Sequence, residues 1–313
     1  MGRKFFVVTN CTARKKAGIP LVQFLPRGEG IRQIAEHWRS SLEAESIRLQ
    51  AGQLYVGRSI LEAKNVSREL GAQLFIVSAG IGLVNSDETI PGYDISASGN
   101  GTELATTLTR HGVSKSDWWH ILAAGKGLGW LLREHPDAML LLSLPSEYLD
   151  MVREDLSAVS PCELSRVRVF TSSAGRKKIG EMPGLPVLPY DERLESIAGY
   201  AGTRSDFPQR ALKHFVSRLK GHLLPIDEAT RAVNAALGDF ELKATPNRRR
   251  LADKEIRELI RQAWEGFGGN SVKLLRHLRD KERVACEQTR FSRLRRQVEE
   301  AAREARTQRE SRS

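Results

Sequence analysis

Four short, largely apolar runs constrain the fold of this chain more than any other feature. They cover residues 5–9, 73–78, 138–143 and 166–171, and small or polar residues follow each of them. Runs of this length, bounded by turn-forming residues, are typical of buried strands. Because helical segments separate them, the strands are expected to pair in parallel through crossover helices. The sequence therefore predicts an α/β fold in which helices flank a mostly parallel sheet of four or more strands.

Helical periodicity marks most of the remaining chain. Helices are predicted over residues 31–50, 55–70, 102–111, 116–132, 145–159, 209–223, 226–239, 253–264, 271–280 and 285–299. The segment 81–94 contains Pro91-Gly92 and is expected to be a long loop. In parallel α/β sheets the ligand crevice lies at the carboxyl ends of the strands. The polar loops expected there are residues 10–16, 78–94, 143–148 and 171–178.

Positive charge is concentrated in the last fifth of the chain. The whole sequence carries 49 Lys and Arg against 38 Asp and Glu, a net charge of +11. Residues 247–313 alone carry a surplus of +8, which leaves +3 for the first 246 residues. This pattern favours a polyanionic partner, DNA above all, although a solvated helical tail is the alternative. Two domains are predicted: an α/β catalytic domain over 1–223 and a basic helical module over 224–313.

The C-terminal module has the pattern of a helix-turn-helix. Two basic amphipathic helices over 271–279 and 286–296 would share a small core made by Leu274, Leu275, Leu278, Phe291, Leu294 and Val298. The polar side chains left to contact phosphates or base edges are Gln288, Thr289, Arg290, Arg293 and Arg296. Two such helices would also suit a protein interface.

Several classes of protein are not favoured. Cys11, Cys162 and Cys286 lie too far apart for a disulfide framework or a metal motif, and the seven histidines are scattered. No metal or cofactor is predicted. The glycines at 125–129 lack the full pattern of a phosphate-binding loop. Without a signal-like start or an apolar stretch long enough to span a membrane, a cytoplasmic protein is expected.

The loop after the second predicted strand offers several groups to a flat ligand. Gly80 and Gly82 would let the backbone approach closely, and Tyr93 would provide an aromatic face for stacking. Asp87 and Asp94 would place carboxylates at the mouth of the sheet. The structural alternative makes Asp94 a cap of a helix or turn.

Four segments together resemble a known family. They are Cys11-Thr12-x-x-Lys15, Leu54-Tyr55-x-Gly57-Arg58, Val77-Ser78-Ala79-Gly80-x-Gly82-Leu83 and Ile90-Pro91-x-Tyr93-Asp94. They resemble bacterial and phage proteins related to the peroxide-stress protein YaaA, and also the base-modification enzymes of the archaeosine and deazaguanine systems. The resemblance is clear over residues 5–100 and fainter to 215. It implies a fold similar to uracil-DNA glycosylases, and some members look like anti-phage DNA glycosylases that excise modified bases.

The resemblance does not extend to the catalytic acid. Uracil-DNA glycosylases place an acidic residue after the first strand, where this chain has Asn10-Cys11-Thr12. Their late histidine loop is replaced here by residues 143–146. The catalytic groups are therefore chosen from the chemistry that the reaction requires.

Cleavage of an N-glycosidic bond builds positive charge on the sugar and negative charge on the departing base. Asp94 is the predicted catalytic carboxylate, with Asp191 and Asp206 in reserve. Asn10 and Ser78 are the predicted donors to the base. The remaining predicted substrate contacts are Gly80, Tyr93, Cys11 and Ser143, and the predicted phosphate contacts in this domain are Arg14, Lys15, Lys177 and Arg204.

Two structural alternatives stay open for these residues. Cys11 follows a strand in a basic loop, so a nucleophilic thiol is conceivable, although a buried structural cysteine is more usual. Asp191 with Arg193, and Arg204 with Asp206, would equally form an ion-pair network between loops.

Three functions are consistent with these patterns. The first is a DNA glycosylase that excises a modified base from phage DNA by hydrolysis in antiviral defence, with the base flipped out of the stack. The second is base exchange on nucleic acid, a transglycosylation. The third is a non-enzymatic, protective DNA-binding protein.

Overall fold

The computed structural model describes residues 4–98, 102–180, 182–242 and 248–310. The chain divides into two compact units, Met1–Leu242 and Lys243–Ser313. In chain order the strands and α-helices are β1 (Lys4–Asn10), α1 (Ile31–Ala44), β2 (Arg48–Gln50), α2 (Ala51–Leu54), α3 (Arg58–Leu70), β3 (Gln73–Ser78), β4 (Gly82–Asn85), β5 (Thr89–Pro91), α4 (Glu103–His111), α5 (Lys115–Ala123), α6 (Leu128–Glu134), β6 (Ala138–Ser143), α7 (Ser146–Met151), α8 (Arg153–Ser157), α9 (Pro161–Leu164), β7 (Val167–Phe170), α10 (Ser173–Ile179), α11 (Phe207–Lys213), α12 (Ile226–Gly238), α13 (Asp253–Phe267), α14 (Ser271–Asp280) and α15 (Gln288–Glu310).

The first unit is built on a five-stranded sheet. Its strand order is β4-β3-β1-β6-β7, with helices around it. All neighbouring strands pair in parallel except β3 and β4, which are antiparallel. The α/β class, the mostly parallel sheet and the four predicted strands are confirmed. The chain moves from β1 to one side for β3 and later crosses to the other side for β6, so the order reverses next to β1.

The sequence prediction missed three short strands. β4 and β5 lie inside the segment predicted to be a long loop, and β2 lies at the end of the predicted helix 31–50. β4 turns back directly on β3, with Ser78 opposite Gly82. β2 pairs with β5 through three residues. The predictions of a loop over 81–94 and of a helix to residue 50 are therefore wrong at these strands. Strands of three or four residues carry too few side chains to show a periodicity in the sequence.

Three predicted helices are interrupted. The helix 209–223 is broken at Lys220, whose φ is 51°. The helix 116–132 is divided into α5 and α6, because Ala124 and Gly125 adopt positive φ angles of 47° and 82° and end the first helix. The helix 145–159 is divided into α7 and α8 at Val152. The start of α5 follows ordinary capping chemistry, because Ser114 and Asp117 form a reciprocal capping box there.

The second unit is a small helical body with its own core. Of the six predicted core residues, Leu275 is half-buried and the other five are buried. Ile256 and Ile260 of α13 complete this core, and residues Arg249 and Val284 form an isolated parallel bridge. The unit therefore contains three packed helices. No helix among the described ranges is long and apolar enough to cross a membrane.

The boundary between the units lies at residue 242 rather than 223, because α12 belongs to the first unit. Its side chains Ala229, Val233 and Leu237 are fully buried in the core of that unit. A chain ending at residue 223 is expected to be less stable to urea than one ending at 242. Loss of the buried Val and Leu alone accounts for about 3–6 kcal/mol of unfolding free energy. Equal urea midpoints for the two fragments would contradict the assignment of α12.

A buried tyrosine–histidine pair lies in the same unit. Tyr190 Oη is 2.9 Å from Nδ1 of His214, which opens a π-helical turn, and the ring of Tyr200 packs edge-on against the imidazole. Burial, with a smaller contribution from the charge of Arg218, lowers the pKa of His214 to about 4. The imidazole is therefore neutral at neutral pH.

This low pKa predicts a pH-dependent stability. Between pH values of about 6.5 and 4 the unfolded chain binds a proton at His214 and the folded chain does not, so the unfolding free energy falls as the pH falls. His214→Asn should lack this part of the decline in urea titrations over that range. The exposed His120, changed to Asn, is the matched control. A wild-type slope in His214→Asn would show that other groups cause the decline.

Candidate functional site

Polar side chains from β1 and β6 meet where these strands end. Nε2 of Gln209, on α11, lies 2.9 Å from Thr9 Oγ1, 3.0 Å from Asn10 Oδ1 and 2.9 Å from the carbonyl oxygen of Ser143. Gln209 is fully buried, and its Oε1 has no hydrogen-bond partner in the described part of the chain. The sequence prediction placed Asn10 and Ser143 at this edge but missed Gln209.

A chain of hydroxyl groups begins at the end of β3. Ser78 Oγ accepts hydrogen bonds from the amides of Gly80 and Ile81, at 3.1 and 3.0 Å, and is hydrogen-bonded to Tyr93 Oη. Tyr93 Oη in turn is 2.6 Å from Tyr55 Oη. Burial raises the pKa of both tyrosines well above the ordinary value, which keeps both phenols protonated.

Cys11 belongs to the same buried region. Its Sγ lies 3.1 Å from the hydroxyl of Tyr148, at the start of α7. Burial raises the pKa of Tyr148, and the neighbouring Cys11 adds to this effect. A hydrogen-bonded thiol that is almost completely buried matches the structural alternative for Cys11 more closely than an exposed nucleophile.

Lys15 points into this region instead of toward solvent. Its Nζ is buried, lies 4.5 Å from the centre of the Tyr93 ring and 5.7 Å from that of Tyr55, and has no hydrogen-bond partner among the described residues. Burial lowers the pKa of the Lys15 amine, while Cys11 and Asp94 oppose the shift. Lys15 was predicted to be a phosphate contact, and its inward orientation makes that placement wrong for this conformation.

Asp94 lies at the exposed edge of the same region. Its Oδ1 accepts a hydrogen bond of 2.9 Å from the amide of Phe24, and its own amide bonds to the carbonyl of Val22. The carboxylate therefore links the Asp94 segment to the distant loop at Phe24, and it caps neither a helix nor its own turn. It is also exposed and close enough to Lys15 to influence its pKa.

Tyr93 cannot stack on a ligand in this conformation. Its ring is fully buried, with Lys15 over one face and Trp38 packed against it at 6.1 Å between ring centres. Gly80 provides no space for a ligand either, since a Cβ there would lie 2.6 Å from the Tyr93 ring. The predicted roles of Gly80 and Tyr93 as open contacts are therefore wrong, because the Ser78–Asp94 segment is packed on itself.

The two reserve carboxylates are held in ion pairs. Asp191 forms a bidentate contact with Arg193, at 2.8 Å for the closest atoms, and Asp206 contacts the fully buried Arg210 at 2.7 Å. Burial raises the pKa of Asp191, but the hydrogen bonds of Arg193 outweigh it and the pKa is lowered. These carboxylates form two separate pairs within the described residues, Asp191 with Arg193 and Asp206 with Arg210, rather than the predicted network between loops, and Arg204 belongs to neither pair.

The predicted phosphate contacts divide into two groups. Arg14, Lys177, Arg204 and Arg296 are exposed, and none has an ion-pair or hydrogen-bond partner for its charged group within the described ranges. Arg290 and Arg293 both bind the carboxylate of Asp253, so they connect α15 to the start of α13. Gln288 is exposed, and the side chain of Thr289 lies outside the described part of the structure.

The chain was compared with protein-family models, curated proteins and solved structures, and no match was found in any of the three.

Sequence reasoning missed Gln209 and Tyr148 and used Tyr55 only as part of a motif. Gln209 had a usable signal, because it is a polar residue between the apolar residues Phe207 and Leu212 of one helix. Tyr148 had no such signal, since a tyrosine early in a helix is ordinarily a core residue.

The packing at Gly80 predicts a clear cost for a larger side chain. Gly80→Ala should lower the unfolding free energy by about 1–3 kcal/mol, because the added Cβ overlaps the Tyr93 ring. Gly30→Ala is the matched control: a Cβ there meets nothing within 4 Å, so a change within about 0.5 kcal/mol is expected. Equal urea midpoints for the two variants would show that the segment is not closely packed.

Proposed function

We propose that this protein is a DNA glycosylase that hydrolyses the N-glycosidic bond of a modified base, with Lys15 and Asp94 as its reacting groups. The observation that carries the proposal is the unpartnered Lys15 ammonium over the face of Tyr93, next to an exposed carboxylate. A buried polar group without a partner calls for an explanation, and a missing ligand is one. The motif resemblance to YaaA-related proteins, which implies a fold similar to uracil-DNA glycosylases, supports the same substrate class.

The two charges match those that develop in the reaction. A carboxylate beside the sugar stabilises the cation that forms as the bond breaks. Oδ1 of Asp94 accepts a hydrogen bond from the amide of Phe24, and Oδ2 would be the oxygen that faces the sugar. An ammonium beside the base stabilises the departing anion. Lys15 supplies this charge and replaces Asn10 as the donor of choice, because the amide of Asn10 is bonded to Cys11 and Gln209.

Substrate entry would require Lys15 to move. Its ammonium covers one face of the buried Tyr93 ring, at 4.5 Å from the ring centre, so a base could reach that face only after Lys15 had moved. A flipped base would displace the side chain, and the ammonium would then meet the base or its phosphate. A cation held only by an aromatic face and burial is less costly to displace than one held in a buried ion pair.

DNA is the proposed polymer because of the charge distribution. The surplus of +8 in residues 247–313 would bind the phosphate backbone, and exposed Arg14, Lys177 and Arg204 would add contacts. Base flipping costs a few kcal/mol, which such contacts would offset. Phage DNA with modified bases, in a cytoplasmic defence role, is the substrate that the motif resemblance favours.

The direct test is release of a base. The full chain is incubated with modified and with unmodified phage DNA, free bases are identified by mass spectrometry, and abasic sites are detected by alkaline cleavage. Asp94→Asn keeps an acceptor for Phe24 yet removes the charge, so release should fall by about 10²–10³-fold. Base release by the Lys15→Met variant should fall by a comparable factor.

Glu88→Gln is the control, since Glu88 is an exposed carboxylate on the same segment and should leave the rate unchanged. Base release at the wild-type rate by Asp94→Asn would remove Asp94 from the mechanism. Incorporation of a free base without abasic sites would indicate base exchange instead. DNA binding without either product would indicate the protective DNA-binding protein, which the charge of the second unit favours.

A further inference from the structure

Three arginines of α15 are occupied by contacts within the second unit. Arg290 donates to Asp253 and to the carbonyl of Leu251, each at 2.8 Å, and Arg293 donates to the same carboxylate at 2.7 Å. Arg295 lies over the ring of Trp264 and pairs with Glu299. These side chains hold α15 in place, so they are poorly available to a polyanion.

The exposed side of α14 is different. Lys273 and Arg276 are exposed, lie one turn apart, and their charged groups have no hydrogen-bond or ion-pair partner in the described ranges. Val272 lies beside them with 70% of its surface exposed. The opposite side of the helix packs into the core through Leu274 and Leu278. These exposed residues, Val272, Lys273 and Arg276, are named the α14 face.

The turn after α14 extends this charge. Lys281 and Arg283 are exposed and have no acidic partner within the described residues. The acidic groups nearby already have cationic partners: Asp280 contacts Arg248 at 3.1 Å, and Glu282 lies 4.0 Å from Arg249. Four cations without an ion-pair partner among the described residues therefore lie on one ten-residue helix and its turn, while these two acidic neighbours contact other arginines.

We propose that the α14 face, and not α15, docks on duplex DNA. Lys273 and Arg276 would bind backbone phosphates, Lys281 and Arg283 would extend those contacts, and Val272 would meet an apolar part of a base or sugar. Charge complementarity favours a phosphate backbone over a neutral partner. This inference rests on the DNA partner of the proposed function, but not on base excision.

The test is the salt dependence of DNA binding by the full chain. Dissociation constants for a fluorescent duplex are measured by anisotropy at NaCl concentrations between about 50 and 200 mM. Each lost phosphate contact lowers the slope of log K against log salt by about 1. The double change Lys273→Ala and Arg276→Ala should lower this slope by about 2. The ratio of the variant's dissociation constant to that of wild type should therefore fall about tenfold between the lowest and the highest salt concentration.

A matched double variant removes the same charge elsewhere. Lys254→Ala with Arg231→Ala changes two exposed cations on α13 and α12 that have no ion-pair partner among the described residues, and its slope should stay within about 0.5 of wild type. Equal slopes for the two double variants, or a larger loss in the control, would overturn the proposal. Melting temperatures equal to wild type show that both variants are folded.

Two further readouts separate the alternatives. Polyglutamate that competes for the α14 face as strongly as duplex DNA would identify an acidic polypeptide as the partner and would overturn the DNA assignment. Base release from modified phage DNA is assayed with the same preparations. If no base is released but the slopes change as expected, the glycosylase proposal is refuted and the α14 interface is supported. If base is released but the slopes of the α14 double variant and wild type are equal, the glycosylase proposal is supported and the α14 interface is refuted.

Discussion

The position of β1 in the centre of the sheet determines what the candidate site can contain. β1 pairs in parallel with β3 on one side and β6 on the other, and its residues Phe6–Asn10 are buried. Parallel strands bring their carboxyl ends to one edge, so Asn10, Ser78 and Ser143 are carried there by backbone pairing alone. The polar residues at this edge must then find partners, because water is excluded from them. The contacts of Gln209, Tyr93 and Tyr148 follow from that requirement.

The sheet could be predicted from the sequence because each of its four main strands is a continuous apolar run. Runs such as 73–78 have no polar face, which is the pattern of a strand covered on both sides. Short strands such as β5 carry no comparable pattern. The core of the second unit was also predictable, since Leu274, Leu278 and Leu294 recur at helical spacing.

The candidate site was predictable in position but not in detail. The sequence shows that Tyr93 and Lys15 follow strands, but whether a side chain points into the core depends on distant partners. Tyr93 is closed off by Trp38 from α1 and by Lys15 from another loop, and no local pattern contains that information. The same holds for Arg290 and Arg293, whose partner Asp253 lies nearly forty residues away. Charge counts identify the second unit as basic. Only the contacts of each Lys and Arg show which side of that unit has cations available to bind a partner.

The amide of Gln209 has a consequence for molecular recognition. An NH₂ group has two hydrogens, yet three oxygens lie within hydrogen-bonding distance of Nε2, and Oε1 has no donor. Acceptors therefore outnumber donors at the crossing point of the sheet. A visiting molecule that offers N–H or O–H groups would balance this deficit, whereas one that offers only lone pairs would aggravate it. Because Gln209 is fully buried, this preference would act only on a group that reached the interior at this edge of the sheet.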